Sequence, residues 1–326
     1  MIFARAPLRM SFVGGGSDLP SYYRNKEGAV LSTSIDKYVY VAVNKKFDND
    51  IRLSYSITEN TKGVTEIKHP IVRNALELLG ISNGVEITSI SDIPSQGSGL
   101  GSSSTFTVAL LHALSAFQTK DISKDELGRL SSHIEIDLCG EKIGKQDQYA
   151  AAFGGMNLIE FKRDDSVKVS KINCTSETIS KLQKSILLFY TGRTRRASDL
   201  LINQSKNMAD QNKFEMMSTM VAYAYEMRNI LEKGDLDSFG KLLDENWQLK
   251  IKMAEGISDS EINSWYRQGI SAGATGGKLL GAGNGGFMMF YAPIETHSKI
   301  ENALKPLRRI PFSFEDKGSK IIFRKG

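Results

Sequence analysis

The sequence has 326 residues, enough for one large domain or two lobes, and its 40% hydrophobic and 24% charged residues suit a chain with a sizeable core. Its 42 lysines and arginines are interleaved with 37 acidic residues for a net charge of +5, which argues against nucleic acid as a partner and allows a local positive pocket for a small anion. Two cysteines exclude a disulfide framework, arginines interrupt the apolar N-terminus MIFARAPLRMSF, and no run reaches the ~18 apolar residues of a membrane span, so the expectation is a reduced, cytoplasmic protein without a membrane partner.

In chain order, AVLSTSIDKYVYVAVN (29–44) is β-branched and aromatic with partial alternation, which predicts a long strand. VEITSIS (85–91) predicts another, running straight into a glycine-rich stretch. Residues 102–117 are apolar on nearly every side, so their helix should be buried. A second helix is expected from Ser123, where SKDE has the capping-box form, to about Leu138. Strands follow at 154–161, 167–172 and 186–192. Residues 197–272 read as almost wholly helical, with a second capping box in SDSE (258–261). A short strand at 287–292, a helix within HSKIENALKPL and a last strand in GSKIIF complete the chain. Strands and helices mix in both halves without strict alternation, which predicts an α+β fold of two fused lobes.

The stretch PSQGSGLGSSST (94–105) is the first candidate site. Glycines let a backbone approach a ligand and adopt positive φ, and a turn of that kind at a helix start is an anion site. Gly97, Gly99 and Gly101 before the 102–117 helix meet both conditions. The hydroxyls of Ser102, Ser103 and Ser104 could cap the helix, bind phosphate oxygens or hold a metal ion; the plainer alternative is a strand-to-helix loop with a serine cap. No GxxxxGK[ST] occurs. A GxGxxG occurs at 281–286, but with a helix expected before it and a strand after, the reverse of a dinucleotide site.

Three further stretches stand out. RAPLRMSFVGGGSDLPSYY (5–23) holds Arg9 on an expected strand, then three glycines and Asp18, which could accept hydrogen bonds from a polyol or be a solvated turn residue. IEIDLCGEKIGKQDQYAAAFGG (134–155) places Glu135 near a helix end and Asp147 just before an apolar run, as a cap or a base. GGKLLGAGNGG (276–286) supplies six glycines in eleven positions. Together, P-x-x-G-x-G-x-G-S-S-S at 94–104 with the flanking stretches at 5–18 and 276–286 resembles the three motifs of the GHMP family of small-molecule kinases, in order and across essentially the whole chain.

The resemblance implies a two-lobed GHMP kinase fold: a ribosomal protein S5 domain 2-like N-terminal lobe over 1–180 carrying the nucleotide, and a ferredoxin-like C-terminal lobe over 181–326 completing the substrate site. It implies ATP and Mg²⁺. The loop from Gly97 through Ser98, Gly99, Leu100, Gly101 and Ser102 to Ser103 would wrap the ATP phosphates, with Ser103 (Ser102 second) and Glu135 holding the metal. Asp147 would orient or deprotonate the acceptor hydroxyl beside Arg9. Gly16, Ser17 and Asp18 would meet the sugar, and Gly283 would let backbone pass close to it. RAPLRMSFVGGGSDL and GKQDQYAAAFGG are similar to the branch acting on heptose phosphates, whereas galactokinases have the form PGRxNLIGEHTD where this chain has PLRMSFVGGGSD. In YTGRTRRAS (190–198), Arg193, Arg195 and Arg196 would suit a sugar phosphate, Arg195 first, or form a solvated basic loop. The expected partner is a small phosphorylated sugar. A homodimer is compatible, though no motif specifies one. The rivals are a kinase for fucose or galactose, a non-catalytic sugar- and ATP-binding regulator, and a decarboxylase on the same fold.

Overall fold

The computed structural model describes residues 1–94, 97–194 and 198–325. The strands are β1 (Ile2–Val13), β2 (Gly28–Lys45), β3 (Ile51–Ser54), β4 (Thr58–Thr61), β5 (Val85–Ser91), β6 (Met156–Phe161), β7 (Val167–Lys171), β8 (Ile186–Tyr190), β9 (Gly276–Leu279), β10 (Phe287–Tyr291), β11 (Arg308–Arg309) and β12 (Lys320–Arg324). The α-helices are α1 (Pro20–Tyr23), α2 (Pro70–Leu79), α3 (Ser102–Phe117), α4 (Lys124–Ser132), α5 (Gln146–Phe153), α6 (Ser176–Ser185), α7 (Ser198–Asn207), α8 (Gln211–Lys233), α9 (Leu236–Lys250), α10 (Ser260–Ser271) and α11 (His297–Ala303).

Among the described residues, eight strands form one sheet in the order β12-β1-β2-β5-β3-β4, with β6 and β7 branching from β2. The branch exists because β2 is long: Gly28–Thr33 pairs with β6, and Val39–Lys45 with β5. All these pairings are antiparallel except β3 with β5. The second sheet, β11-β8-β10-β9, is antiparallel, and β12 returns from beyond it to the first. This is the α+β, two-lobed architecture expected.

Helix α3 is buried on nearly every side, as its composition predicts. The Ser123 side chain caps α4 by accepting from the Glu126 N–H, while the Glu126 carboxylate turns to Arg129 and leaves the box half made. At α10 the cap is Asp259, which accepts from the Ile262 N–H, and not Ser258 as SDSE suggested. The residue before the GxGxxG stretch is also corrected: strand β9 stands there, not a helix, so the stretch is a hairpin loop into β10.

One hydrophobic core crosses between the lobes, joining Leu8, Met10 and Phe12 of β1 to Phe239, Leu243 and Trp247 of α9 and to β8 and β10. The Phe12 and Phe239 rings meet edge to face at 5.2 Å. A second cluster packs α2 and α3 onto the first sheet. No helix among the described residues is long and apolar enough to cross a membrane.

Candidate active site

Strand β5 delivers the chain into the glycine loop. Gly97, Gly99 and Gly101 all have positive φ, at 66°, 76° and 80°. Gly99 is required twice over, because a methyl there would stand 2.3 Å from the Leu280 carbonyl oxygen. Gly101 is the N-cap of α3 and offers no side chain to cap the helix's first N–H groups, the arrangement of an anion site. The four hydroxyl-bearing or apolar side chains divide by direction. Leu100 is in the core, Ser102 is buried with its Oγ 2.8 Å from that of Ser98, and Ser103 is exposed.

Asp147 occupies the first turn of α5 and faces this helix start: a methyl on Gly101 would lie 3.0 Å from its Oδ2. Arg9, on β1 and 3% exposed, grips it as a fork, Nε to Oδ1 and Nη2 to Oδ2, both at 2.8 Å. The third guanidinium nitrogen donates to the Gly99 carbonyl at 2.5 Å, and the Arg9 N–H donates to Leu100 O at 3.1 Å. One arginine therefore fixes the carboxylate and the glycine loop against each other.

Glu135 approaches from behind α3. It lies in a π-helix, His133–Leu138, that continues α4. Its Oε1 accepts from Ser103 Oγ at 3.2 Å, and its Oε2 from Gln148 Nε2 at 2.6 Å. Burial pushes its carboxyl up to about 7, against hydrogen bonds from Ser104 and Gln148 that hold it down. Adjacent oxygens around an octahedral Mg²⁺ are roughly 3.0 Å apart, so Ser103 and Glu135 fit as two neighbouring ligands. No cluster of three or more His, Cys, Asp or Glu side chains placed to hold a metal occurs among the described residues.

Asp18 is the third carboxylate. Its Oδ1 accepts from the Gly16 N–H at 3.0 Å and from Gln146 Nε2 at 3.3 Å, and its Oδ2 accepts from the Gln146 N–H at 3.2 Å. Burial first, and the charge of Asp147 second, raise its pKa. Ser17 does not reach out: its hydroxyl donates to Ala29 O and accepts from the Ala29 N–H, pinning the turn to β2. Against the turn sits Lys250 of α9, donating to Gly15 O at 3.0 Å and Gln204 Oε1 at 2.8 Å; burial pulls its pKa down to about 8 while Asp18 pulls it up. Lys278 of β9 donates to Ser11 O and Phe12 O, its pKa lowered by burial and by the charges of Lys250 and Arg9.

The 281–286 loop closes on the glycine loop. Methyls on Gly281 and Gly286 would meet Gly99 and Ser98, and one on Gly283 would meet Ile257. Arg193 is committed elsewhere, to Asp259 at 2.6 Å, Glu261 at 3.0 Å and Asn284 Oδ1 at 3.0 Å. Its charge is already matched. Arg195 and Arg196 lie outside the described residues.

Thus Arg9, Asp147, Glu135, Ser103, Asp18 and the glycine loop converge, whereas the side chains of Ser17 and Arg193 are engaged elsewhere. The sequence reading missed Lys250, Lys278, Gln148, Gln204 and Asn246. The one signal available in the sequence was the lysine inside the glycine-rich GGKLL.

Comparison with known proteins gives the family. The model of GHMP kinases N terminal domain matches residues 67–155, and that of GHMP kinases C terminal matches 227–311. The D-glycero-alpha-D-manno-heptose 7-phosphate kinase of Campylobacter jejuni is 30% identical over 98% of both chains. A bifunctional fucokinase/GDP-fucose pyrophosphorylase of Arabidopsis thaliana is 25% identical over 88% of this chain and 29% of its own. Among solved structures, a D-glycero-D-manno-heptose 1-phosphate kinase from Bacteroides thetaiotaomicron superposes with a TM-score of 0.84, at 26% identity over the full length of both chains.

Proposed function

Since this chain belongs to the GHMP kinase family and is a sugar kinase, an ATP-consuming phosphotransferase with an alcohol acceptor, we propose that its acceptor is the anomeric hydroxyl of D-glycero-α-D-manno-heptose 7-phosphate. The product is then the 1,7-bisphosphate, an intermediate on the way to nucleotide-activated heptose, made in the cytoplasm where ATP is available. The observation that carries the reading is the Asp147 carboxylate, locked by Arg9, at the open N-terminus of α3.

The loop amides of 97–103 hold the ATP phosphates, and the α3 dipole favours their charge. Ser103 and Glu135 would hold Mg²⁺, which neutralises charge building on the transferred phosphoryl group. Asp147 aligns the sugar hydroxyl with the γ-phosphorus. As the new O–P bond forms and the bond to the ADP oxygen breaks, the hydroxyl proton passes to Asp147. With both carboxylate oxygens held by Arg9, orientation comes first and proton transfer late. Asp18 accepts hydrogen bonds from sugar hydroxyls, and Arg195 takes the 7-phosphate.

The test is an ADP-release assay over free and phosphorylated sugars, including heptose 7-phosphate, mannose, galactose and L-fucose. The heptose phosphate should give a kcat/KM at least tenfold above the others; a preference for L-fucose or galactose overturns the substrate assignment. Arg195→Ala should raise the KM for the phosphorylated sugar and leave that for ATP alone. An unchanged sugar KM returns that loop to solvent.

A further inference from the structure

Three side chains of the C-terminal lobe end at the Gly14–Asp18 turn with hydrogen-bond donors unused. Gln204 of α7 is 1% exposed, as is Asn246 of α9, and Lys250 of α9 is 6% exposed. Lys250 spends two of its three N–H groups, on Gly15 O and Gln204 Oε1. That bond also fixes the amide of Gln204, since only its oxygen can face an ammonium group. Asn246 is fixed likewise, its Oδ1 accepting from the Gly14 N–H at 3.3 Å. Both amide nitrogens, Gln204 Nε2 and Asn246 Nδ2, are then buried with no partner. All three groups touch the same turn: a methyl on Gly16 would stand 1.9 Å from Gln204 Nε2 and 3.1 Å from Lys250 Nζ.

A buried donor without an acceptor costs roughly 1–3 kcal/mol. Two amides in that condition, beside an ammonium with one N–H left over, point at one turn to an acceptor supplied from outside. The same turn carries Asp18, which when ionised can only accept. A group that fits both is one that donates and accepts at once. A hydroxyl does so, whereas a phosphate would meet Asp18 as a like charge.

We infer that Lys250, Gln204 and Asn246 form the C-terminal lobe's half of the sugar subsite, donating to hydroxyl oxygens whose protons go to Asp18. The inference rests on the sugar-kinase reading above and adds the residues that select the hydroxyl pattern. Specificity of this kind is strong, because a sugar lacking one of those hydroxyls leaves a buried donor unpaired.

The experiment compares Gln204→Leu, Lys250→Met and Lys250→Arg with the wild-type enzyme, using heptose 7-phosphate and analogues each lacking one ring hydroxyl. For Gln204→Leu and Lys250→Met the sugar KM should rise tenfold or more while the ATP KM stays within twofold. Discrimination against one particular deoxy analogue should collapse, and Lys250→Arg should restore part of it. An unchanged sugar KM, or equal rises in both KM values, overturns the inference. A protein-wide check needs no variant: the side-chain amide resonances of Gln204 and Asn246 should shift on adding the sugar and not on adding ATP. Amides that stay put at saturating sugar end the idea even if the variants fail to fold. A wild-type enzyme inactive on every sugar of the panel overturns the sugar-kinase reading and this one with it; an active wild type with unaffected variants overturns this one alone.

Discussion

Asp147→Asn separates the structural from the chemical work of the Arg9 fork. The amide keeps one oxygen for Arg9 but turns an NH₂ toward a guanidinium N–H, so one of the two 2.8 Å bonds is lost and the buried arginine loses its counter-charge. Breaking a fully buried pair costs about 3–5 kcal/mol. Here the Asp147 side chain is 21% exposed, so water screens part of the loss, and about 1–3 kcal/mol is the expected drop in stability. The chemical loss is separate. A positioned group that takes the hydroxyl proton contributes about 10²–10⁴ in rate, or roughly 3–5 kcal/mol of barrier. The assays are thermal melting with and without ATP, and steady-state ADP release. Melting should fall by several degrees and still rise on adding ATP, with kcat down at least 100-fold and the ATP KM nearly unchanged. A folded variant that keeps kcat within twofold removes Asp147 from the reaction.

Three other outcomes follow from the same geometry. Gly99→Ala forces a methyl onto Leu280 O at positive φ, so the ATP KM should rise tenfold or more with the sugar KM less affected; an unaltered ATP KM would detach that loop from the phosphates. Glu135→Gln should raise the Mg²⁺ concentration for half-maximal rate at least tenfold, and an unchanged metal titration would strike Glu135 from the metal site. Lys250 faces the charges of Asp18 and Lys278, and its pKa of about 8 lies below the ordinary 10.5. The fold therefore disfavours its charged form: stability is lowest below pH 8 and rises by up to ~3 kcal/mol as pH climbs from there toward 10.5. Sugar kcat/KM should move the other way, falling above pH 8 as the third N–H is lost, with the fall shifted upward in Lys250→Arg. A flat profile from pH 7 to 9.5 refutes this.

The architecture was largely legible because its signals are local. The apolar run of α3, the alternation of β2 and the Ser123 cap are each written within a few residues. Glycine spacing marked the positive-φ loop before α3 for the same reason. The short α5 was hidden, because GKQDQYAA holds its start without a side-chain cap, and β9 was lost in a glycine-rich stretch whose pattern carries no period. Ser258 and Asp259 are equally good caps by composition, and the choice is made by an ion pair with Arg193, 66 residues distant. The donors at the Gly14–Asp18 turn come from chain positions more than 180 residues later. Gln204, Asn246 and Lys250 look like ordinary helix-surface residues until the lobes are packed together.

The continuous core between β1 and α9 has a bearing on how this enzyme admits its reactants. Swinging the lobes apart would wet Phe12, Phe239 and Trp247 at once, a penalty of several kcal/mol for every turnover. Catalytic cycling would then run on a stiff frame, and crosslinking the two halves outside the site should leave the enzyme working.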